Sequence, residues 1–334
     1  MNKKEKQSKE KGGSLKDAIK DIRAKFGQDA IMMLDEKPNV DVESISTHSL
    51  GLNFALGIGG LPRGRIVEIY GGESSGKTTL ALHVIAEAQK AGGTCAYVDA
   101  EHAMDPQYAK KLGVKIEELL ISQPTGGEEA LRIVDSLVGT KKIDVVVVDS
   151  VAALVPTAEL EGEIGAIVMG AQARLMSQAM RMLTSSIAKT KTLVVFINQT
   201  RQNIGGYGDP TTTAGGKALK FYASVRIEVK KIATIKKAEE AVGSRIRARV
   251  VKNKVASPFK STEFDILYGK GIVKEAELLA LAEKYKLVER NGASYSFGEN
   301  KLGRGYDLSM NYLIDNPEVA DSIEKRIIEE QNKV

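Results

Sequence analysis

The sequence has few of the residues that would point to a secreted, membrane-spanning or zinc-binding protein. Cys95 is the only cysteine among 334 residues, so an intramolecular disulfide is excluded. Three histidines and one cysteine are also a poor set for a structural zinc site. No apolar run has the length needed to cross a bilayer, and the charged N-terminus lacks an apolar signal core. These absences predict a cytoplasmic chain with no membrane partner.

The most informative stretch that is present is the octapeptide GGESSGKT at residues 71–78, which fits the phosphate-loop pattern G-x-x-x-x-G-K-[ST]. It follows a strand-like apolar run and opens a helix-like run, which is the context that the motif requires. The glycines let successive backbone N–H groups point at phosphate oxygens, Lys77 adds a positive charge, and Thr78 offers a hydroxyl to Mg²⁺. The residues expected to bind the nucleotide are Gly71, Gly72, Glu73, Ser74, Ser75, Gly76, Lys77, Thr78 and Thr79.

Strand-like and helix-like runs alternate from about residue 40 to 270, as is typical of βαβ units. The fold class predicted is therefore α/β, with a mostly parallel twisted sheet, helices on both faces and a phosphate-loop core. The run at 143–149 is almost continuously apolar, as expected of a strand buried on both faces. Strands are predicted at 65–70, 94–99, 143–149, 192–197, 225–230 and 247–252, and helices at 77–91, 106–112, 127–138 and 171–189.

Two smaller regions flank this core. Before it, apolar residues recur at helical spacing between Ser14, a suitable N-cap, and Gly27, a suitable stop. After it, a helix is predicted at 274–289, followed by short glycine-containing segments and a charged helix at about 317–332. These features predict three parts: an N-terminal tail and helix (1–38), whose apolar stripe packs either on the core or on a neighbouring copy, a nucleotide-binding core (39–273) and a small α+β domain (274–334).

Polar residues stand at the ends of three further predicted strands. Asp149 ends one strand and is a candidate Mg²⁺ ligand, although a turn-capping role is the alternative. Glu101 follows another strand and could orient the attacking water, for which His102 is a weaker candidate. Gln199 follows a fourth strand and could hydrogen-bond the terminal phosphate. Because ligands bind at the carboxyl ends of parallel strands, we expect these side chains to meet Lys77.

The order of these motifs resembles one family, the bacterial RecA recombinases. The similarity extends over nearly the whole chain and is carried by the blocks GRIVEIYGGESSGKTTL, TCAYVDAEHAMDPQYAKKLGV, VVVVDSVAALVP, EGEIG, ARLMSQAMR, FINQTR, GGKALKFYASVR and VVKNKVASPFK. The resemblance implies a RecA-type ATPase core that binds ATP and Mg²⁺. In this family pattern Lys77, Glu101 and Gln199 belong to the catalytic set.

The resemblance also implies roles that the residues alone do not indicate. Asp105 and Tyr108 would contact the adenine, and Tyr108 would stack on it. Lys252 and Lys254 would reach the ATP of a neighbouring protomer, in a role comparable to an arginine finger. Phe221 would pack at the interface between protomers, and the N-terminal helix would dock on the next subunit.

Two glycine-rich segments, 161–170 and 201–216, would be the DNA-binding loops of such a protein. The residues implied in DNA contact are Met169, Arg174, Arg181, Arg201, Ile204, Gly215 and Gly216. The sequence departs from the family pattern at Ala166, Ile167 and Val168, where a polar stretch is usual, and its second loop is one residue shorter. It also stops without the family's long acidic tail, and Lys301 and Arg304 could then receive duplex DNA.

The function predicted is an ATP-dependent DNA recombinase that forms helical filaments on single-stranded DNA, searches duplex DNA for homology, exchanges strands and hydrolyses ATP when DNA is bound. A family member of this kind would also promote self-cleavage of an SOS-type repressor. Two alternatives remain: a hexameric ATP-driven DNA motor resembling a helicase, and a scaffold for which the nucleotide is only a switch. The net charge of +5 is compatible with a DNA partner without requiring one.

Overall fold

A computed structural model of the chain describes residues 14–27, 30–31, 42–163, 170–202 and 211–333. Contacts divide the chain into two units, Met1–Val42 and Glu43–Val334. The helices are α1 (Leu15–Phe26), α2 (Leu50–Leu56), α3 (Lys77–Lys90), α4 (Pro106–Lys111), α5 (Gly127–Gly139), α6 (Thr157–Leu160), α7 (Ala171–Thr190), α8 (Ala218–Tyr222), α9 (Lys274–Lys284), α10 (Tyr306–Asp315) and α11 (Pro317–Asn332). Among the described residues, 3-10 helices lie at Ile116–Glu118 and Val151–Ala153.

The strands are numbered in chain order. They are β1 (Ser44–Ile45), β2 (Leu61–Pro62), β3 (Ile66–Gly71), β4 (Cys95–Asp99), β5 (Leu120–Ser122), β6 (Val145–Asp149), β7 (Leu193–Gln202), β8 (Thr211–Thr213), β9 (Val225–Lys237), β10 (Glu240–Asn253), β11 (Ser261–Leu267), β12 (Gly271–Ile272), β13 (Glu289–Asn291), β14 (Ser294–Phe297) and β15 (Asn300–Arg304).

The first unit contains the amphipathic helix α1. Ser14 and Asp17 form a reciprocal capping box at its start, in which the Ser14 side chain accepts from the Asp17 N–H and the Asp17 carboxylate accepts from the Ser14 N–H. Gly27 follows its last turn with a φ of 101°. The start and stop predicted from the sequence are therefore confirmed. None of its residues is buried, and Leu15 and Phe26 are exposed.

The second unit is organised around one ten-stranded sheet. Its strand order is β12-β11-β10-β9-β3-β7-β6-β4-β5, with β8 paired to β7. Six strands run parallel to one another, in the order β9, β3, β7, β6, β4 and β5. Beyond β9, the strands β10, β11 and β12 extend the sheet with antiparallel pairing. The mostly parallel sheet predicted from the sequence is confirmed. The antiparallel extension adds strands at β11 and β12 that the sequence pattern did not predict.

The central strands are buried on both faces. In β6, Val145 and Val147 belong to one apolar cluster, which includes α3, whereas Val146 and Val148 belong to a second, which includes α5 and α7. Successive side chains of a strand point to opposite faces, so an unbroken apolar run is what two helical layers require. Helices therefore cover both faces of the sheet, as predicted.

The small C-terminal domain consists of the antiparallel sheet β13-β14-β15 and helices α9, α10 and α11 around their own apolar cluster. Glu277 of α9 connects this domain to the core through hydrogen bonds. The Glu277 carboxylate accepts hydrogen bonds from Ser49 Oγ (2.7 Å) and from the Leu50 and Gly51 N–H groups (2.9 and 3.0 Å). Burial raises the pKa of Glu277 to about 7.

The prediction of a helix over 274–289 is wrong at its C-terminal end. Helix α9 ends at Lys284, and residues 289–291 form β13 instead. Lys286 has a left-handed φ of 58°, which breaks the helical path, and the Leu287 N–H returns to the Ala282 carbonyl at 2.8 Å. The predicted limits of the three parts, at 38/39 and 273/274, stay predictions.

Candidate nucleotide-binding and DNA-binding sites

The phosphate-loop motif forms the turn between β3 and α3, and two of its glycines have no room for a side chain. A Cβ on Gly71 would lie 2.0 Å from the Val229 carbonyl oxygen, and one on Gly76 would lie 2.5 Å from Ile266 Cδ1. Gly76 also has a φ of 90° as the N-cap of α3. The backbone of β9 therefore requires glycine at position 71, and the left-handed backbone favours glycine at position 76, in addition to any need for close approach to phosphate.

Lys77 is buried at the start of α3, where its Nζ donates to the Gly72 carbonyl at 2.6 Å. Burial lowers the pKa of its ammonium, and the carboxylates of Asp149, Glu101 and Glu73 oppose that shift. A buried cation inside a loop of backbone N–H groups is a favourable environment for an anion.

Thr78 of α3 and Asp149 of β6 meet as the sequence predicts, although β7 separates β6 from β3, the strand that precedes α3. Thr78 Oγ1 donates to Asp149 Oδ2 at 2.8 Å, and Tyr97 Oη donates to the same oxygen at 2.7 Å. Burial raises the pKa of Asp149, and the bonds from Tyr97 and Thr78 oppose that shift.

This pair suits Mg²⁺, which prefers oxygen ligands and usually binds through one or two protein oxygens together with phosphates. Within the described part of the chain, no group of three or more His, Cys, Asp or Glu side chains could hold a metal ion. A site made of Thr78, Asp149 and the phosphates of a nucleotide fits both observations.

Glu101 and Gln199 also meet. Glu101 lies two residues after β4, and Gln199 lies within β7. Gln199 Nε2 donates to Glu101 Oε1 at 3.0 Å, and Ser150 Oγ donates to the same oxygen. The Glu101 N–H bonds to the Asp149 carbonyl at 3.2 Å, which fixes its position beside the end of β6. A carboxylate at this edge, held by an amide from a separate strand, can accept a proton from water and can respond to a nearby phosphate. His102 is exposed and follows Glu101 with a φ of 55°.

Of the two predicted adenine contacts, which both stay predictions, only Tyr108 lines the cavity beside the phosphate loop. Tyr108 reaches the phosphate-loop side, where its hydroxyl and Thr79 Oγ1 are 2.8 Å apart. Asp105 caps α4, accepting from the Gln107 N–H at 2.8 Å, and its side chain does not line the adjoining cavity.

That cavity has a volume of about 270 Å³. Its lining combines the loop and start of α3 with residues of β10, β11 and the following turn: Ser74, Ser75, Gly76, Lys77, Thr78, Thr79, Tyr108, Ser244, Ile246, Ile266 and Tyr268. The last four, Ser244, Ile246, Ile266 and Tyr268, are not predicted from the sequence. They come from the antiparallel extension, far from the motif in sequence, and no local pattern indicates them.

Lys252 and Phe221 lie next to each other. Lys252 Nζ donates to the Lys220 and Phe221 carbonyls, at 2.8 Å each, and the Phe221 ring is 66% exposed. Burial lowers the pKa of Lys252 to about 8, with a further contribution from the positive charge of Lys254. The exposed Lys254 is held through its backbone, since its N–H donates to the Ser224 carbonyl at 2.9 Å. An exposed aromatic ring and two neighbouring cations could therefore face a second molecule.

The described DNA-binding candidates lie on α7 and at the ends of β7 and β8. Arg174 and Arg181 are exposed on α7, and Arg201 is exposed near the end of β7, opposite Thr212 of β8. The other candidates in the loops, Met169 and Ile204, and the departures Ala166, Ile167 and Val168, lie outside the described residues.

Gly215 and Gly216 pack against α7. Both have left-handed φ values, 78° and 73°, and a Cβ would lie 2.8 Å from Val151 Cγ1 or 2.7 Å from Ala173 Cβ respectively. The Gly215 N–H donates to Gln172 Oε1 at 3.2 Å, so this group already has a partner within the protein. These glycines therefore have a packing role that the sequence analysis did not foresee.

A buried polar network connects the two candidate sites. Asn198, the neighbour of Gln199, donates to Glu68 Oε1 (2.9 Å) and to the Ala214 carbonyl (3.0 Å) next to Gly215. Glu68 also pairs with Arg226, whose guanidinium lies 4.5 Å from the ring centre of Tyr70. The end of β7 is thus bonded to the segment that follows β8.

Family models match almost the whole chain. The RecA N-terminal domain matches residues 13–273, and the RecA C-terminal domain matches residues 276–332. This chain belongs to the RecA family. Membership supports a recombinase role and assigns the phosphate-loop core to a family of ATPases.

Similar proteins agree with this assignment. The chain is 56% identical over 318 residues to Protein RecA of Rickettsia bellii (strain RML369-C), covering 95% of this chain and 93% of that protein. It is 55% identical over 330 residues to Protein RecA of Caulobacter vibrioides (strain NA1000 / CB15N), covering 98% and 93%. A solved structure of the RadB recombinase is similar with a TM-score of 0.52 and 25% identity, over 68% of this chain and 98% of that one. None of the helices among the described residues is long and apolar enough to span a bilayer.

Proposed function

We propose that this RecA-family chain is an ATP-dependent recombinase that assembles as a helical filament on single-stranded DNA, pairs it with homologous duplex and exchanges strands. The observation that carries the proposal is the convergence of Lys77, Thr78, Asp149, Glu101 and Gln199 at one edge of the sheet. Such an arrangement supports hydrolysis of ATP rather than nucleotide binding alone, because it includes a carboxylate able to accept a proton from water.

Each residue has a distinct task in this proposal. Lys77 and the N–H groups of the loop bind the phosphates, and Thr78 and Asp149 hold Mg²⁺, which would neutralise phosphate charge when bound. Glu101 orients the attacking water and accepts its proton. Gln199, which donates to Glu101 in this structure, would exchange that bond for one to the terminal phosphate.

The exchange at Gln199 would link the nucleotide to DNA. Gln199 lies in β7, and its neighbour Asn198 is bonded to the Ala214 carbonyl near the C-terminal end of the second candidate loop. A shift of Gln199 toward a phosphate would therefore pull on both ends of that loop. Hydrolysis would reverse the shift, so DNA binding and hydrolysis would depend on each other.

Self-assembly is proposed from surfaces that are exposed in the single chain. Phe221 and Lys252 lie together, and the edge strand β5 carries Leu120 and Ile121, which are 49% and 53% exposed. Exposed apolar groups on an unpaired strand edge favour association with another chain. We propose that Phe221 docks on the next protomer while Lys252 and Lys254 approach its bound ATP.

DNA contact is assigned to Arg174, Arg181 and Arg201 together with the two loops, for both single-stranded and double-stranded substrates. The same filament would act as the partner of an SOS-type repressor and promote its self-cleavage. Lys301 and Arg304 of β15 are assigned to duplex DNA, and charge removal there should weaken duplex binding only.

The experiment is joint-molecule formation between a single strand and homologous duplex, with ATP and Mg²⁺, alongside DNA-stimulated hydrolysis. Glu101→Gln should retain nucleotide binding and lower the hydrolysis rate by about 10²–10⁴-fold, the usual contribution of a general base. Glu117→Gln is the matched control, because Glu117 is an exposed carboxylate in the 3-10 helix Ile116–Glu118, and it should leave the hydrolysis rate unchanged.

Homology-dependent joints by the unaltered chain would support the proposal. Hydrolysis without joints would favour the motor-like alternative. Nucleotide binding without hydrolysis would favour the switch-like scaffold, and equal rates for Glu101→Gln and the unaltered chain would remove Glu101 from the mechanism.

A further inference from the structure

A buried tyrosine hydroxyl stands directly behind the candidate Mg²⁺ site. Tyr97 of β4 is 1% exposed, and its Oη donates to Asp149 Oδ2 at 2.7 Å. In the sheet Tyr97 is paired with Val147, two residues before Asp149 on β6. The contact is thus a diagonal one between neighbouring strands, which places the phenol alongside the last residue of β6.

The hydroxyl and Thr78 converge on one carboxylate oxygen. Thr78 Oγ1 donates to Asp149 Oδ2 at 2.8 Å, so Oδ2 accepts two hydrogen bonds. Among the hydrogen bonds of the described residues, none ends on Asp149 Oδ1. The two donors therefore fix the rotation of the carboxylate and leave its other oxygen available to a Mg²⁺-bound water.

The rest of the Tyr97 side chain gives no reason for a hydroxyl. The ring belongs to the apolar cluster formed by this face of the sheet and α3, where phenylalanine would fill nearly the same space. A buried hydroxyl must form a hydrogen bond to avoid a desolvation penalty, and a phenol can donate only one. The single proton of Tyr97 is used on Asp149.

We propose that Tyr97 is a positioning residue that presets the Asp149 carboxylate for Mg²⁺ and thereby raises the affinity of the site for Mg²⁺ with nucleotide. Groups behind metal ligands orient them and typically change metal affinity by about 10–100-fold when removed. This inference rests on the proposed function, because it requires that Thr78 and Asp149 serve a bound nucleotide.

The test is Tyr97→Phe, which removes the hydroxyl and keeps the ring. Binding of a fluorescent ATP analogue is measured by titration across a series of Mg²⁺ concentrations and again in EDTA. The Mg²⁺ concentration for half-maximal binding should rise about tenfold, at the low end of the range for such groups. Affinity in EDTA should not change, because the phosphate loop and the cavity are intact.

Two comparisons separate positioning from packing. In an Asp149→Asn background, Tyr97→Phe should produce no further shift, since the hydroxyl acts through the carboxylate. Tyr306→Phe is the matched control, because its partly buried hydroxyl donates to the Ala276 carbonyl at 3.1 Å in the C-terminal region. It should leave the Mg²⁺ dependence unchanged.

A Mg²⁺ dependence of Tyr97→Phe within twofold of the unaltered chain would overturn the inference. So would a shift that persists in the Asp149→Asn background, because the hydroxyl would then act by another route. Failure of the unaltered chain to bind the analogue at any Mg²⁺ concentration would instead reject the proposed nucleotide site, and the inference with it.

Discussion

The cations of this protein differ in how the fold holds them, and the difference separates its two candidate sites. At the candidate nucleotide site, Lys77 is buried and donates to the Gly72 carbonyl. In the polar network beside that site, Arg226 is buried and pairs with Glu68. On the candidate DNA side, Arg174, Arg181 and Arg201 are exposed. A buried cation is expensive unless its geometry is fixed, whereas an exposed one costs little and can follow a flexible strand. The fold therefore fixes the position of the cation at the phosphate site, and it leaves the arginines that would contact DNA exposed at the surface.

The largest effect is expected from the loss of the buried cation Arg226. Arg226→Met should destabilise the protein by about 3–5 kcal/mol, because Glu68 would remain as a buried carboxylate without its cation. The measurement is the free energy of unfolding in a denaturant titration. Arg247→Met on the adjacent strand is the matched control, since its pair with Glu263 is exposed, and it should cost less than about 1 kcal/mol.

A double change tests the cause. Glu68→Gln combined with Arg226→Met removes both charges, and should recover much of the stability lost in the single variant. If the double variant is as unstable as Arg226→Met alone, the loss comes from packing around Tyr70 rather than from an unpaired carboxylate. Equal losses at Arg226 and Arg247 would remove the distinction between buried and exposed cations.

The half-buried Lys252 lies between the two classes and should make assembly depend on pH. Its pKa is lowered from 10.5 to about 8, mainly by burial. Lys252 therefore loses its charge as the pH rises through about 8, and with it the attraction to a neighbour's phosphates. We expect cooperative hydrolysis, measured against protein concentration, to fall by about tenfold from pH 7 to pH 9, following the charged fraction.

Lys252→Arg should abolish this fall, because an arginine stays charged throughout the range. Lys254→Arg is the matched control and should preserve it. The effect on folding has the opposite sign: the folded protein holds this proton less tightly, so this group's contribution to stability increases between pH 8 and 10.5. A fall in hydrolysis that Lys252→Arg does not alter would exclude Lys252 as its cause.

The sequence predicts the nucleotide site better than its surroundings, for a physical reason. Asp149 ends a predicted strand with a clear apolar pattern, Glu101 and Gln199 come just after two others, and Thr78 follows a fourth through the phosphate loop. Parallel strands bring their carboxyl ends to one edge, so local patterns suffice to bring these side chains together.

The cavity wall at Ser244 and Tyr268 depends instead on strands that pair over long sequence distances, and no local pattern records that pairing. The same limit applies to single hydrogen bonds. The sequence places Tyr97 in a predicted strand but does not indicate which residue its hydroxyl reaches. At Gly215 the family resemblance implies contact with DNA, whereas the Gly215 N–H donates to Gln172 in the structure.

The smallest effect is expected at an exposed cation of the candidate DNA-binding site. Arg201→Ala should weaken binding to single-stranded DNA only a few-fold, because one phosphate contact among several is lost. It should also reduce the slope of log affinity against log salt by about 0.7, the value for one contact with a single strand. Fluorescence anisotropy in a salt series with a non-hydrolysable ATP analogue measures both quantities.

Arg181→Ala should behave in the same way if α7 and β7 face the same strand, whereas Lys325→Ala, an exposed cation of α11, should leave the slope unchanged. An unchanged slope for Arg201→Ala would remove this residue from the DNA surface. A loss of several kcal/mol in folding stability would contradict the comparison itself, because an exposed arginine would then be acting as a buried one. Small, additive losses of affinity for DNA without a loss of folding stability are expected of an exposed surface that binds a DNA strand. A buried site that holds a reacting phosphate would lose folding stability as well.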